Sequence, residues 1–376
     1  MGIYTFGDKT ETKIGTHMYY YNKRFTLGFI CTLPLLFHTL VEAAPIYNAN
    51  GNKLYLDGRV IARRIISDND KTNGDKTRLR LNVHGETQIS PTFYAYGRFE
   101  RDFNGYEAEN SVSTDYTRFA YAGLSDTNWG SFDYGRNSGT FFKSLYTIAM
   151  FPVNGGGTYK VDNFIMGKRG NGMFTWRKEE LFEAIPGLAL TLQYQGKNDD
   201  SSRSIQTQNG DGYGIAFAYV IPDTKLELSS AWGSSTLTDR QQQKYDQGDK
   251  ADGWIVGAKW QPGHWTLSGF YSETHNMQFI NASRGFANKA QTMEAGISYR
   301  FQHGLLTAVG YRESKANDIR GMSDAYLVKD TLLLATYFLN SNFSLSAEYR
   351  LNMLEKDNAL GLSSDDATWL TATFIF

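Results

Sequence analysis

The chain has a single cysteine in 376 residues, Cys31, and it lies in a leading apolar stretch. Past that stretch there is no thiol, which rules out both a disulfide framework and cysteine chemistry. Proline is scarce, with 7 residues, and no excess of positive charge exists: 38 Lys and Arg stand against 39 Asp and Glu. A nucleic-acid partner is therefore not expected, since such partners usually demand a clear basic surplus. Beyond residue 43 nothing approaches the roughly 18 consecutive apolar residues of a membrane helix. Histidine is rare as well. His84, His264, His275 and His303 show no zinc-ligand or HExxH spacing, and no nucleophile with a base and an orienting group is legible. No catalytic centre, metal or cofactor is expected.

What is abundant points elsewhere. Gly stands at 37, and Tyr and Phe at 24 each, a strand-and-turn composition with aromatics to spare for the interfacial girdles of a membrane barrel. Tyr21 to Arg24 forms a short basic flank, Phe25 to Val41 is mostly apolar, and Val41-Glu42-Ala43 matches a small-x-small cleavage pattern. These features predict a signal peptide over 18–43, with residues 1–17 a spurious extension and 44–376 a single exported domain. A transmembrane helix fits less well, because the stretch is short and contains Pro34 and His38.

From Asn52 onward, segments of about ten residues alternate apolar and polar side chains, separated by gaps that switch between a few residues and a dozen or more. In one segment Leu79, Leu81 and Val83 alternate with Arg78, Arg80, Asn82, His84 and Glu86; in the last, Leu370, Ala372, Phe374 and Phe376 alternate with Thr371 and Thr373. Period two means strands. The pattern predicts sixteen, near 52–67, 78–89, 93–103, 116–125, 130–137, 172–178, 188–196, 212–220, 226–234, 253–260, 264–274, 292–301, 305–314, 326–338, 343–354 and 367–376. Short gaps such as Ser90-Pro91 and Gln261-Pro262-Gly263 alternate with long polar ones such as 197–211, 235–252 and 275–291. The negative mean hydropathy, -0.44, is compatible with a membrane protein of this kind, because only every second residue faces lipid. The expected fold class is an all-β, sixteen-stranded antiparallel transmembrane barrel, which is an aqueous hole through a membrane.

Several blocks carry a resemblance. Ala44-Pro-Ile-Tyr-Asn-Ala-Asn-Gly-Asn-Lys53, Ala122-Gly-Leu124 with Gly130-Ser-Phe-Asp-Tyr-Gly-Arg-Asn137, Gly285-Phe-Ala-Asn-Lys289, Ser314-Lys-Ala316, and Ser364-Asp-Asp366 before the terminal aromatic occur in order. In these blocks the chain resembles the enterobacterial general porins, the OmpF, OmpC and PhoE group. That resemblance implies a homotrimer of barrels in the outer membrane of a Gram-negative bacterium, among lipid and lipopolysaccharide. It implies passive diffusion of ions and small hydrophilic solutes, and assembly machinery that reads the last strand and its Phe376. It also implies a third external loop folded into the lumen. The sequence supports such a loop independently: the 138–171 insertion holds Leu145, Ile148, Met150, Phe151 and Val153 with Gly155, Gly156 and Gly157, too apolar for solvent.

In this group, basic residues on the wall oppose carboxylates on that loop. The resemblance carries the basic side to Arg59, Arg80 and Arg118, with Lys168 or Arg169 as a fourth. The acidic side does not carry over. Ala149 and Val153 flank Pro152 where acids are expected, and from Ser138 through Val161 there is no Asp or Glu. A positive ring without opposing carboxylates should favour anions. Glu86 and Glu100 are wall acids that would moderate it, and with Asp57 they are the acids available to pair with the arginines. The alternative reading is a substrate-specific channel for sugars or phosphate-type solutes; Tyr94 and Tyr96, on the face of Arg98 and Glu100, motivate the sugar version. Acidic pairs Asp199-Asp200 and Asp365-Asp366 read as solvated turns, and Glu107 and Glu109 as candidate inter-subunit contacts.

Overall fold

The computed structural model describes residues 45–156, 168–246, 248–281 and 285–376. Sixteen strands follow one another antiparallel round a closed ring. They are β1 (Asn52–Ile66), β2 (Arg78–Gln88), β3 (Phe93–Asn104), β4 (Tyr116–Asp126), β5 (Gly130–Ser138), β6 (Arg169–Lys178), β7 (Leu188–Gln195) and β8 (Gly212–Ile221), then β9 (Leu226–Thr236), β10 (Lys250–Trp260), β11 (Trp265–His275), β12 (Lys289–Arg300), β13 (Leu305–Asn317), β14 (Ala325–Phe338), β15 (Phe343–Asn352) and β16 (Ala367–Ile375). Short helices α1 (Thr140–Ile148) and α2 (Asp239–Tyr245) occupy two of the long loops.

Closure comes from β16 returning to β1, in register from Arg59↔Ile375 to Ile66↔Thr368. Where the C terminus stops, Pro45–Ala49 continues alongside β1, with Ala49 opposite Asn52. The joint between them is Gly58, whose amide donates to the Phe376 carbonyl at 3.0 Å and whose carbonyl accepts from the Phe376 amide at 3.1 Å. A Cβ on Gly58 would lie 2.8 Å from the Phe376 ring, so the last aromatic seats only against glycine. With every edge paired, the barrel leaves no backbone polar row facing hydrocarbon.

The two faces are inverted relative to a water-soluble protein. Leu54, Leu56 and Val60 of β1 are exposed, whereas Ile61 and Ile65, of opposite parity, are buried; on β3 Phe99 is exposed while Arg98, Glu100 and Asp102 are buried. The same parity exposes Leu370 and Phe374 on β16 and buries Trp369 and Thr371. Greasy residues outside and polar ones inside make sense only when the outer solvent is lipid. Trp260 and Trp265 flank the 261–264 turn, and Tyr337 stands just before the 339–342 turn, all exposed, as an aromatic belt at the short-turn end requires.

Strand number, order and parity agree with the sequence reading, but several ends do not. β6 begins at Arg169 rather than 172, β10 at Lys250 rather than 253, and β12 at Lys289 rather than 292, while β15 stops at Asn352. The physical reason is that ladder bonding continues past the hydrocarbon, where outward side chains no longer need to be apolar and the alternation fades. Within the 237–249 loop, α2 is held by Thr238, whose hydroxyl accepts from the Gln241 amide while the Gln241 side chain accepts from the Thr238 amide. The Thr-x-x-Gln capping box that starts it is a local signal the strand-centred reading passed over.

Candidate functional site

The third long loop turns inward after β5. Phe141 and Leu145 of α1 are buried in one cluster with Met173, Ala216, Ala231 and Ile255, inward residues of β6, β8, β9 and β10. Met150 and Phe151 pack on Leu306 and Ala308 of β13 and Leu332 and Leu334 of β14. Val153 reaches Ile65 of β1 and Ala367 and Trp369 of β16. Gly310 of β13 shows how close the loop comes: a Cβ there would clash with the Phe151 ring. Three wall side chains fasten the tip. Glu348 accepts from the Val153 amide at 3.2 Å, the Asn154 amide at 3.0 Å and the Asn154 side chain at 2.7 Å. Glu294 accepts from the Gly156 amide at 2.8 Å. Arg312 donates to the Asn154 carbonyl and pairs with Asp330 at 2.8 and 2.5 Å.

The described residues of the loop thus line the wall from β6 round to β16 and reach Ile65 at the edge of the arc β1–β4. That arc is where the guanidiniums stand. Arg59 pairs in register with Arg80, and Ile61 with Arg78. Arg80 donates to both oxygens of Asp102, at 2.7 and 3.0 Å, and lies 3.7 Å from Glu100. Arg98 reaches Glu100 at 2.6 Å, Arg118 donates to Glu100, and Arg118 lies 3.5 Å from Asp102. Tyr116 also donates to Asp102 at 2.7 Å. Arg98 stacks over the Phe119 ring at 4.5 Å. Arg169, at the start of β6, lies over Phe119 at 5.6 Å and Phe142 at 5.1 Å, so it bridges the wall and α1 through rings. Arg63, one turn of parity further along β1, donates to Thr371 at 3.1 Å.

Each predicted residue can now be placed. Arg80 and Arg118 are buried in the network, Arg59 is half-buried beside Arg80, Arg169 joins them, and Lys168 is exposed at the head of β6. Ala149 is buried, Pro152 exposed, and Val153 half-buried. Gly155 closes a turn by donating to the Phe151 carbonyl at 2.9 Å, and Gly156 has a φ of 65°; Gly157 lies outside the described residues. Glu86 pairs with Lys53 at 2.7 Å, and Asp57 accepts from Asn82 at 2.7 Å, so neither serves the arginine cluster as Glu100 does. Glu107 accepts from Thr114 and Asn104 of its own loop, and Asp199 pairs with Lys197. The histidines sit apart: His84 stacks on Tyr55, His275 faces Asp252, and His264 and His303 are at turns. Among the described residues no group of acids, histidines and cysteines is placed to hold a metal ion.

Sequence reasoning missed Asp102, Arg98 as a member of the cluster, and the loop anchors Glu294, Arg312 and Glu348. Parity was the available signal for the first two, since both share the inward face of Glu100 on β3.

A family profile for Gram-negative porins matches residues 49–376. The chain belongs to the Gram-negative porin family. Outer membrane porin PhoE of Citrobacter freundii is 42% identical over 92% of this porin and 97% of its own length. Its counterpart in Escherichia coli K12 is 40% identical over 94% and 100%. Among solved structures, Salmonella typhi OmpF in complex with daunomycin is 33% identical with a TM-score of 0.81, covering 89% of this porin and all of that chain. The porin is therefore an outer-membrane protein that crosses the bilayer with strands and lets solutes diffuse through its bore. Family and fold are those of a channel.

Proposed function

We propose that the bore narrows between the guanidinium arc and the third loop, and that this pore favours anions over cations. The observation that carries it is the charge on the two sides. Arg59, Arg63, Arg78, Arg80, Arg98, Arg118 and Arg169 occupy the open wall, with Glu100 and Asp102 the carboxylates among them. The loop offers Ala149 and Val153, on either side of Pro152, where the resemblance places acids. Two unit charges about 4 Å apart interact by about 1 kcal/mol in bulk water, and more where water is thinned, so an uncancelled surplus enriches mobile anions.

The reading includes a homotrimer in the outer membrane contacting lipopolysaccharide, reached through an export signal over 18–43 that lies outside the described residues. The C-terminal Phe376 would guide assembly, consistent with its place at the seam. The sugar-channel alternative loses support, because Tyr96 is buried and its hydroxyl donates to Asp133 at 3.0 Å rather than lining a slide. The decisive experiment is the zero-current potential of the purified porin in a planar bilayer under a KCl gradient. A potential on the chloride side is expected; one on the potassium side would refute the anion reading.

A further inference from the structure

On the outer face of the barrel, away from the bore, β10 to β14 surround an open hollow of about 780 Å³. Its floor is a row of small residues facing one another across three strands, Ala258↔Gly269 and Gly269↔Ala295. A Cβ on Gly269 would lie 3.1 Å from the Glu294 carbonyl oxygen and 3.4 Å from the Ala295 Cβ, so the floor sits at the level of the backbone. Bulky side chains wall it on both sides. Trp260, Leu267 and Ile297 stand in register toward the short turns, and Tyr271 and Met293 toward the long loops. The floor row runs on through Tyr311 to Thr331. Its four interstrand spacings make a track of roughly 19 Å, the length of an extended acyl chain.

The track is inclined, because strands in such barrels tilt by about 35–45° from the axis and a row across them climbs. Ala258, at the low end, is two residues from Trp260 and the 261–264 turn; Thr331, at the high end, is two residues from Lys329 on the way to the 318–324 loop. The charges at that high end are unequally engaged. Glu313, opposite Lys329, accepts from the Tyr311 hydroxyl at 2.6 Å, and Asp324 is held by Lys315 at 3.1 Å. The Lys329 ammonium lies 4.6 Å over the Tyr326 ring, and no carboxylate of the described residues pairs with it.

We propose that this furrow is a lipid-binding site: it seats one straight, saturated acyl chain of an anionic outer-leaflet lipid, whose head reaches Lys329. The site is separate from the bore and from its ion preference. Between apolar surfaces in a bilayer no hydrophobic force acts, so contact and the polar end decide which chain stays. A straight chain touches floor and walls along the whole track, whereas a kinked one lifts away and forfeits those contacts. The ammonium at the upper end then distinguishes an anionic head from a neutral one.

The test is native mass spectrometry of the purified porin, stripped of lipid in detergent and titrated with dipalmitoyl phosphatidylglycerol, dioleoyl phosphatidylglycerol or dipalmitoyl phosphatidylcholine. The first should bind each barrel severalfold more tightly than either of the others, since oleoyl chains are kinked and the choline lipid has no net charge. Ala295→Leu, and Ala258→Leu as a second filling of the floor, should weaken it about tenfold. Lys329→Gln should lower it to the level of the choline lipid while keeping the preference for straight chains. Ala122→Leu, on the exposed outer face of β4 away from the furrow, should bind like the wild type, and heat-modifiable migration on a gel checks that each variant is folded. The proposal is overturned if the floor variants retain lipid as Ala122→Leu does. It is overturned equally if they alter the number of chains per particle and not the lipid count, which would put a second copy over the hollow.

Discussion

Replacing Asp102 by Asn removes one negative charge from the centre of the arginine arc while keeping a side chain of the same shape. Asp102 is fully buried and contacts Arg80 at 2.7 and 3.0 Å, Arg118 at 3.5 Å, Arg78 at 3.9 Å and the Tyr116 hydroxyl at 2.7 Å. Two consequences oppose each other. Breaking a buried ion pair by neutralising one partner costs about 3–5 kcal/mol, because the other charge is left buried without compensation. The arc also becomes more positive by one unit. At about 4 Å in water that unit is worth about 1 kcal/mol to a passing ion, or roughly a fivefold change in occupancy for each ion sign. The barrel should persist, since its ring of ladder bonds does not involve this side chain, but it should unfold at lower temperature on a heat-modifiability gel. The zero-current potential under a KCl gradient should move further toward chloride than in the wild type. A potential that stays in place, or moves toward potassium, would show that the arc's charge does not act on permeating ions.

Other substitutions separate the loop from the wall. Gly310→Val forces a side chain into the space of the Phe151 ring, and overpacking of this kind costs about 1–3 kcal/mol; displacement of the loop tip should raise or destabilise single-channel conductance. Glu348→Ala deprives the Val153 amide and both Asn154 donors of their acceptor, and should give noisy, larger openings while leaving secondary structure by circular dichroism unchanged. Acid should loosen the external loops. The Asn104 amide holds the Asp115 carboxyl below its ordinary pKa, and the Lys315 ammonium does the same for Asp324. A depressed folded pKa means the stabilisation is complete above the unfolded carboxylate value, about 4, and disappears as pH falls through the lower folded value. Proteolysis of the 105–115 and 318–324 loops should therefore speed up with an acid-stable protease at low pH and not between pH 6 and 8.

Much of the barrel is readable along the chain because each strand states its faces locally. Leu79, Leu81 and Val83 against Arg80, Asn82 and His84 already separate lipid from water, whatever lies on neighbouring strands. The site was legible in part for the same reason. Arg80 and Arg118 could be put on the inside by parity, and the missing acids at Ala149 and Val153 are a plain statement of composition. What stayed hidden was company. That Asp102 gathers Arg80, Arg118 and Arg78 depends on β2, β3 and β4 meeting in one particular register. That Glu348 and Glu294 hold the loop depends on a segment crossing the bore to strands more than a hundred residues away in sequence.

The order of residues, taken alone, settled the alternation, the gap rhythm and the absence of carboxylates from Ser138 through Val161, because a two-residue period and a local charge count need no partner to be seen. Three-dimensional packing decided which part of the wall the described residues of the third loop cover and which arginines gather around Glu100 and Asp102. Height along the barrel and contact across it are properties of pairs of distant residues, and those pairs come into being only when the ring closes at Gly58 and Phe376.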